Sequence, residues 1–395
     1  HLVYRDRVIL REGAGRGGEE HGPSRKCRAL RLLCDANPVR DLEGKLSGAF
    51  GSIMDLTTSR ENEASILEQN TTISNTAQEA SSLTAEMGRA TAALAGYEVV
   101  NIESRDGMVD PAALAEVLDD SVAALMMTCP NTLGLFEKHL PEIVRKLRSV
   151  DALLYYDGAN FNACMGRMRT GDVGFDVVHL NLHKTMGTPH GGGGPGSGPV
   201  GVSEKLVPFL PGPRVFKKQD GTFGLQRDLP QSIGQVAPFY GNFSVYLKAL
   251  AYMLRLGKDG LARATTYAVL NANYMLARLR DHLQIPYDRI CMHEFVASAS
   301  PLGEYGVHAL DIAKALLDKG YHAPTIYFPL IVKECLMFEP TETESKETLD
   351  AFCDDLIAII ETARSNPEEV QSAPVTLPVR RLDETKAARN MILKD

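Results

Sequence analysis

Between residues 97 and 184 short apolar runs alternate with amphipathic segments, a pattern that few folds accommodate. The runs fall at 97–102, 122–127, 153–156 and 177–182, with Asp157 closing the third and Lys184 closing the fourth. Asp110-Pro111 opens the first intervening helix as N-cap and first-turn proline, and 137–150 reads as the second. Strands that alternate with helices form a parallel sheet and carry functional side chains at their carboxyl ends. The expected fold is therefore α/β with a mostly parallel sheet over 91–234. After Pro213 the text shifts to helices at 245–256, 261–283 and 308–319, with a strand at 325–332, which predicts a smaller α+β domain over 235–395.

Residues 1–90 break this pattern. The first 40 are Arg-rich with a Gly cluster at 13–18, and 53–90 are rich in Ser, Thr, Asn, Gln and Glu. Ile66, Ile73, Ala77, Ala80 and Met87 fit one face of a thin helix, and a solvated, disordered segment fits equally well. The chain opens on His1 rather than Met, as a fragment would, and no secretory signal is legible there.

Charge and cysteine usage exclude several classes. Lys plus Arg is 42 against 50 acidic residues, a net charge of −8, which offers nothing to a nucleic-acid backbone. No run approaches the roughly 18 apolar residues of a membrane-crossing helix. The cysteines are Cys27, Cys34, Cys129, Cys164, Cys291, Cys335 and Cys353; scattered, and never as C-x-x-C, they read as free thiols.

The chemistry concentrates in Asp157-Gly158-Ala159-Asn160, in Asp176 to Thr185, and in the Gly-rich run after His190. An Asp and a Lys at neighbouring strand ends, 27 residues apart, suit pyridoxal phosphate. The amine takes the cofactor aldehyde, and the carboxylate keeps the pyridine nitrogen protonated so that the ring can accept electrons. A structural salt bridge is the competing reading. The run 191–198 lacks the strand–helix context and the acidic residue of a dinucleotide site, and it lacks the G-K-[ST] of a P-loop. What remains is a backbone able to move or to approach a ligand closely. His179, His183 and His190 have no carboxylate ligand at metal-site spacing, so no metal is expected there.

These blocks resemble the glycine cleavage system P-protein family, glycine dehydrogenase (decarboxylating), in its lysine-bearing C-terminal half. They are DGANFNA, GFDVVHLNLHKT and TPHGGGGPGSGPVGV. The likeness runs on through 128–134, Gly241-Asn242-Phe243, 291–295, 324–329 and 339–345, covering about residues 91–395. It implies a fold-type-I pyridoxal-phosphate architecture, with Lys184 as the Schiff-base lysine, Asp157 as partner of the pyridine nitrogen and Ala159 against the ring. His183 and Thr185 are implied near the phosphate, with core packing as the alternative; Asn131 near the cofactor hydroxyl, with a turn-forming role as its alternative. Tyr240, Asn242, His293 and Glu294 lie in matched blocks without an assignable role.

The activity implied is decarboxylation of glycine with transfer of the aminomethyl group to the lipoyl arm of the H-protein. The loop 191–198 would border a channel for that arm. Subunit 1 in a heterotetramer is the implied partner, and the bacterial wording of the blocks implies the cytoplasm. An aminotransferase or another amino-acid decarboxylase would share the fold. The likeness stops near Thr91: the family's S-A-H-G-T-N-P-like and A-G-A-H-G-E-like stretches, which stack on the ring and bind the phosphate, are absent, and Leu83 to Arg89 stand at the former. The join reads as a shifted frame or a chimeric gene. The alternative function is thus a defective subunit that keeps the fold and subunit contacts but binds cofactor poorly.

Overall fold

The computed structural model describes residues 7–12, 97–188 and 196–383. Their contacts divide between Thr266 and Tyr267 into two units.

The first unit is built on a six-stranded sheet. Its strands are β1 (Arg7–Glu12), β2 (Tyr97–Asn101), β5 (Val122–Thr128), β6 (Leu153–Gly158), β7 (Val177–Leu180) and β8 (Val200–Val202), and a small hairpin pairs β3 (Ser104–Arg105) with β4 (Met108–Val109). The order is β2-β1-β5-β6-β7-β8. β5, β6 and β7 pair in parallel, and β1 is antiparallel to both β2 and β5. β8 is antiparallel to β7. Four strands therefore share one direction, as the alternation predicts.

β1 is the departure. It lies within the first 40 residues, to which the sequence assigns no helix or strand, and it sits between β2 and β5 with Ile9 fully buried. Apolar spacing could not locate it, because Arg7, Arg11 and Glu12 flank a short Val-Ile-Leu run. The helix considered over 53–90 lies outside the described residues, as do Cys27 and Cys34.

Alternation along β6 separates the two cores of this unit. Leu154 and Tyr156 join Ile9, Leu125 and Met127 on one face, beneath Leu114, Leu140, Ile143 and Leu147. Those last four come from helices α1 (Pro111–Val117) and α2 (Leu140–Ser149). Leu153 and Tyr155 join Ala124, Val177 and Leu206 on the other. Asp110 caps α1, its Oδ1 accepting from Ala112 N at 2.8 Å. Asp176, buried just before β7, anchors a salt-bridge cluster on this sheet. It accepts from Arg148 at 2.6 Å, Lys205 at 2.8 Å and Leu154 N at 2.9 Å.

A one-turn helix α3 (Leu182–Thr185) follows β7, so Lys184 sits on a helical turn rather than at the end of a strand reaching 182. Strands β9 (Arg214–Lys217) and β10 (Phe223–Gln226) then make an exposed hairpin. The helical run α4 (Phe243–Leu279) is interrupted at Gly257, whose φ of 62° is non-helical, close to the gap between the two helices expected there.

The second unit holds the antiparallel sheet β11-β13-β12, made of Phe295–Ser298, Cys335–Phe338 and Thr325–Ile326. Helices α5 (Ala309–Asp318) and α6 (Lys346–Ser365) contribute to its core with Ile312, Leu316, Leu356 and Ile360. The short helix α7 (Pro367–Ser372) follows. The strand expected over 325–332 is only two residues long, because Tyr327 takes a φ of 57° and a turn closes from Val332 N to Pro329 O. Cys129, Cys164, Cys291, Cys335 and Cys353 are buried, and none forms a disulfide among the described residues. Among the described residues no helix is long and apolar enough to cross a membrane.

Candidate active site

Asp157 and His179 are register partners at the carboxyl ends of parallel strands β6 and β7. His179 Nε2 lies 3.1 Å from Asp157 Oδ1, and Ala159 N donates to the same oxygen at 2.9 Å. The other imidazole nitrogen, Nδ1, is 2.7 Å from the Tyr155 hydroxyl. Tyr155 and His179 are 1% and 4% exposed, whereas the Asp157 side chain keeps 27% of its surface. The carboxylate thus stands at the mouth of a buried hydrogen-bonded chain. Burial pushes its pKa up, but the His179 hydrogen bond, the Ala159 N–H and the Lys184 charge outweigh that and hold it below the ordinary value.

Lys184 is presented from the turn after β7. Leu182 and Met186, four residues apart and so on one helical face, are buried against Met165, Val245, Ala249 and Ala264. Lys184, two residues on from Leu182, falls on the opposite side and is exposed. Its ammonium contributes to the field that keeps Asp157 ionised.

The neighbours of Lys184 differ. His183 Nδ1 accepts from Ser197 N at 3.2 Å, fastening the turn to the end of the Gly-rich run. Ser197 O accepts from Leu182 N at 3.0 Å, and Ser197 Oγ from Asn242 N at 3.2 Å. Thr185 and Thr188 are 4% and 2% exposed, and the hydroxyls of both are buried without a hydrogen-bond partner among the described residues. Ala159 is half-buried beside Asp157. His190 and the run 191–195 lie outside the described residues.

Asn131 is employed inside its own loop. Its Oδ1 accepts from Leu133 N at 3.0 Å and Leu135 N at 3.2 Å, and its Nδ2 donates to Gly107 O at 2.7 Å. That is the turn-forming arrangement. Asn242 likewise caps the start of α4, accepting from Val245 N, and Tyr240 O accepts from the Tyr246 hydroxyl. In the second unit His293 Nε2 lies 3.7 Å from both Glu294 and Glu339, which brings two separate sequence blocks together around a buried histidine, with Glu294 buried and Glu339 exposed.

Sequence reasoning considered His179 only as a metal ligand. Tyr155 and Asp157 share one face of β6 by period-two alternation, so a polar residue on the adjacent strand was the signal that could have found it. The register Asp157↔His179 was the missing information.

Comparison with known proteins identifies what the chain is similar to. Residues 264–376 match the model of the family described as glycine dehydrogenase, C-terminal domain. Over 306 residues, 77% of this chain, it is 57% identical to the probable glycine dehydrogenase (decarboxylating) subunit 2 of Desulforamulus reducens and 54% identical to that of Listeria innocua. The chain spans 63% and 62% of the length of those two relatives. Among solved structures it resembles an inhibitor-bound glycine decarboxylase (P-protein) of the glycine cleavage system, with a TM-score of 0.59 and 19% identity over 70% of this chain and 62% of that one. That likeness shows the fold alone, the α/β architecture that the strand–helix alternation predicts and that the family resemblance specifies as fold-type-I. The 306 matched residues correspond in extent to the span from about Thr91 onward, and over that span the chain is similar to glycine dehydrogenase (decarboxylating) subunit 2.

Proposed function

We propose that the chain is the lysine-bearing subunit of a pyridoxal-phosphate-dependent glycine decarboxylase, which passes the aminomethyl group to the lipoyl arm of a carrier H-protein. The observation that carries this reading is the Asp157 carboxylate, held ionised at the end of β6 beside the strand that leads to Lys184. The residues fit the cofactor. Lys184 offers an exposed amine, Asp157 an anion for the ring nitrogen, and Thr185 and Thr188 two buried hydroxyls lacking partners. When bound, the cofactor supplies an electron sink for the pair left as carbon dioxide departs.

Each residue has a limited task. Lys184 holds the cofactor aldehyde and is the group available to move a proton at the substrate carbon. Asp157 keeps a proton on the ring nitrogen. The one-turn helix, locked by Leu182 and Met186, orients the amine. The partners in this reading are glycine, a lipoylated H-protein and subunit 1 in a heterotetramer, in the cytoplasm. An exposed apolar stripe on α4, formed by Phe243, Leu247, Leu250 and Leu254 at helical spacing, supports a subunit contact.

The test is exchange of labelled bicarbonate into the glycine carboxyl, with subunit 1 and lipoylated carrier added. Exchange that disappears in Lys184→Ala is expected; unchanged exchange in that variant sinks the mechanism. A second reading is favoured by the text at Leu83 to Arg89, where ring-stacking and phosphate-binding blocks are missing. It is a subunit that keeps fold and contacts and binds cofactor weakly, and association with subunit 1 without a cofactor absorbance band would support it.

A further inference from the structure

We propose that His179 is a positioning residue, whose Nε2–H fixes the Asp157 carboxylate so that its second oxygen faces the cofactor ring nitrogen, with Tyr155 setting the tautomer. The inference rests on the pyridoxal-phosphate reading above and names a residue that the reading itself does not need. Both protein donors, His179 Nε2 and Ala159 N, converge on Asp157 Oδ1. Oδ2 accepts no hydrogen bond from the described residues, and it is not among the buried unsatisfied atoms. One oxygen is therefore used to hold the carboxylate and the other is left for an incoming N–H. A carboxylate bonded through both oxygens inside the protein would have nothing to offer a ring nitrogen.

The tautomer follows from the neighbours. A lone pair on Nε2 aimed at a carboxylate oxygen 3.1 Å away would repel it, so Nε2 carries the hydrogen. Neutral imidazole then has its lone pair on Nδ1, and the Tyr155 hydroxyl at 2.7 Å donates to it. With Tyr155 1% and His179 4% exposed, water cannot replace either bond. Parallel pairing of β6 with β7 supplies the alignment through the Asp157↔His179 register. A histidine serving only the core would have no need to face the one carboxylate that stands at the strand mouth.

The experiment compares two ligands on the full chain, pyridoxal phosphate and its analogue with a C–H in place of the ring nitrogen. Binding is followed by absorbance and fluorescence of the ligand. In His179→Phe the affinity for pyridoxal phosphate is expected to fall about 10- to 100-fold, the range of one charge-assisted hydrogen bond. Affinity for the analogue should stay within about twofold, since it has no N–H for Asp157 to accept. His179→Asn, which keeps an N–H donor, should recover part of the loss. Equal loss for both ligands, or no loss for either, overturns the proposal. If the unaltered chain binds the analogue but not pyridoxal phosphate, the role of Asp157 and this inference both fail; if it binds neither, the cofactor reading itself fails. Should His179→Phe not fold, nitrogen-15 spectra of the unaltered chain decide. An Nε2–H tautomer for His179 is expected, and an Nδ1–H tautomer overturns the assignment.

Discussion

A Cβ atom on Gly158 would lie 2.1 Å from the carbonyl oxygen of His179. The ends of β6 and β7 thus approach as closely as they do only because Gly158 has no side chain. That contact sits next to Asp157 and in the strand pair that sets the Asp157–His179 bond. Gly158→Ala forces backbone against backbone, where neither partner can swing aside. A loss of about 1–3 kcal/mol or more is expected from overpacking of this kind. Urea denaturation would show it as a lower midpoint with an unchanged slope. An unaltered midpoint would mean that the strand ends separate at little cost.

Stability of the second unit should peak in a defined pH window. His308 Nδ1 lies 3.3 Å from Glu334 Oε1, while Glu334 Oε2 accepts from Ala309 N at 2.8 Å at the start of α5. The hydrogen bond to Glu334, with the Glu334 and Asp311 charges, outweighs burial and raises the His308 pKa. Burial pushes Glu334 up, but His308 and the Ala309 N–H outweigh it and hold it low. A raised histidine contributes fully below its unfolded value of about 6.5 and loses that contribution as pH rises through its folded value. A lowered carboxyl contributes above its unfolded value of about 4.3 and loses it as pH falls through the folded one. Between about pH 4.3 and 6.5 both hold. Glu334→Gln should cost about 1–3 kcal/mol in that window and less at pH 9. A pH-independent difference in denaturation free energy would contradict the pairing.

The apolar stripe on α4 offers a cleaner separation of folding from assembly. Leu254 is 75% exposed and Leu247 51%, so a charged head at either position can stay in water in the isolated chain. Leu247→Glu with Leu254→Glu should leave its melting temperature within a degree or two, as surface changes do. The same pair should weaken association with subunit 1 by an order of magnitude or more, measured by sedimentation of the mixed subunits. Association of undiminished strength would move the subunit contact elsewhere.

How much of this was legible depended on the length and burial of each run. β5 and β6 are long, apolar and followed by helix signals, and Asp110-Pro111 fixed the start of α1 as its cap geometry requires. β11 and β13 are four residues each, buried but for the partly exposed Met337, too short to show a period, and they went unread. The reading at 325–332 overran because Pro329 and a positive φ at Tyr327 end the strand. Lys184 and Asp157 were identifiable as residue types, whereas the His179 bond required the parallel register, a long-range fact that no local spacing encodes. Asn131 was placed correctly in a loop, and its side chain is committed there.

Thr185 and Thr188 make a prediction of unusual sign. A buried hydroxyl without a partner costs free energy in the ligand-free protein, of the order of 1–3 kcal/mol. Replacing Thr by Val keeps the shape of the side chain and removes the unsatisfied group. Thr185→Val and Thr188→Val should therefore leave the melting temperature of the cofactor-free chain unchanged or raise it. If these hydroxyls serve the cofactor phosphate, the same variants should bind pyridoxal phosphate about tenfold less tightly, one neutral donor to an anion being worth about 1.5 kcal/mol. Affinity for pyridoxal, which has no phosphate, should not move. Calorimetry on the cofactor-free proteins and titration with the two aldehydes measure both halves. A variant that is destabilised without cofactor would show that the hydroxyl has a structural partner. Equal loss for pyridoxal and its phosphate would place the effect on the ring or on Lys184 instead. Loss confined to the phosphate, with stability intact, would mark these hydroxyls as phosphate ligands held in the turn that also presents Lys184.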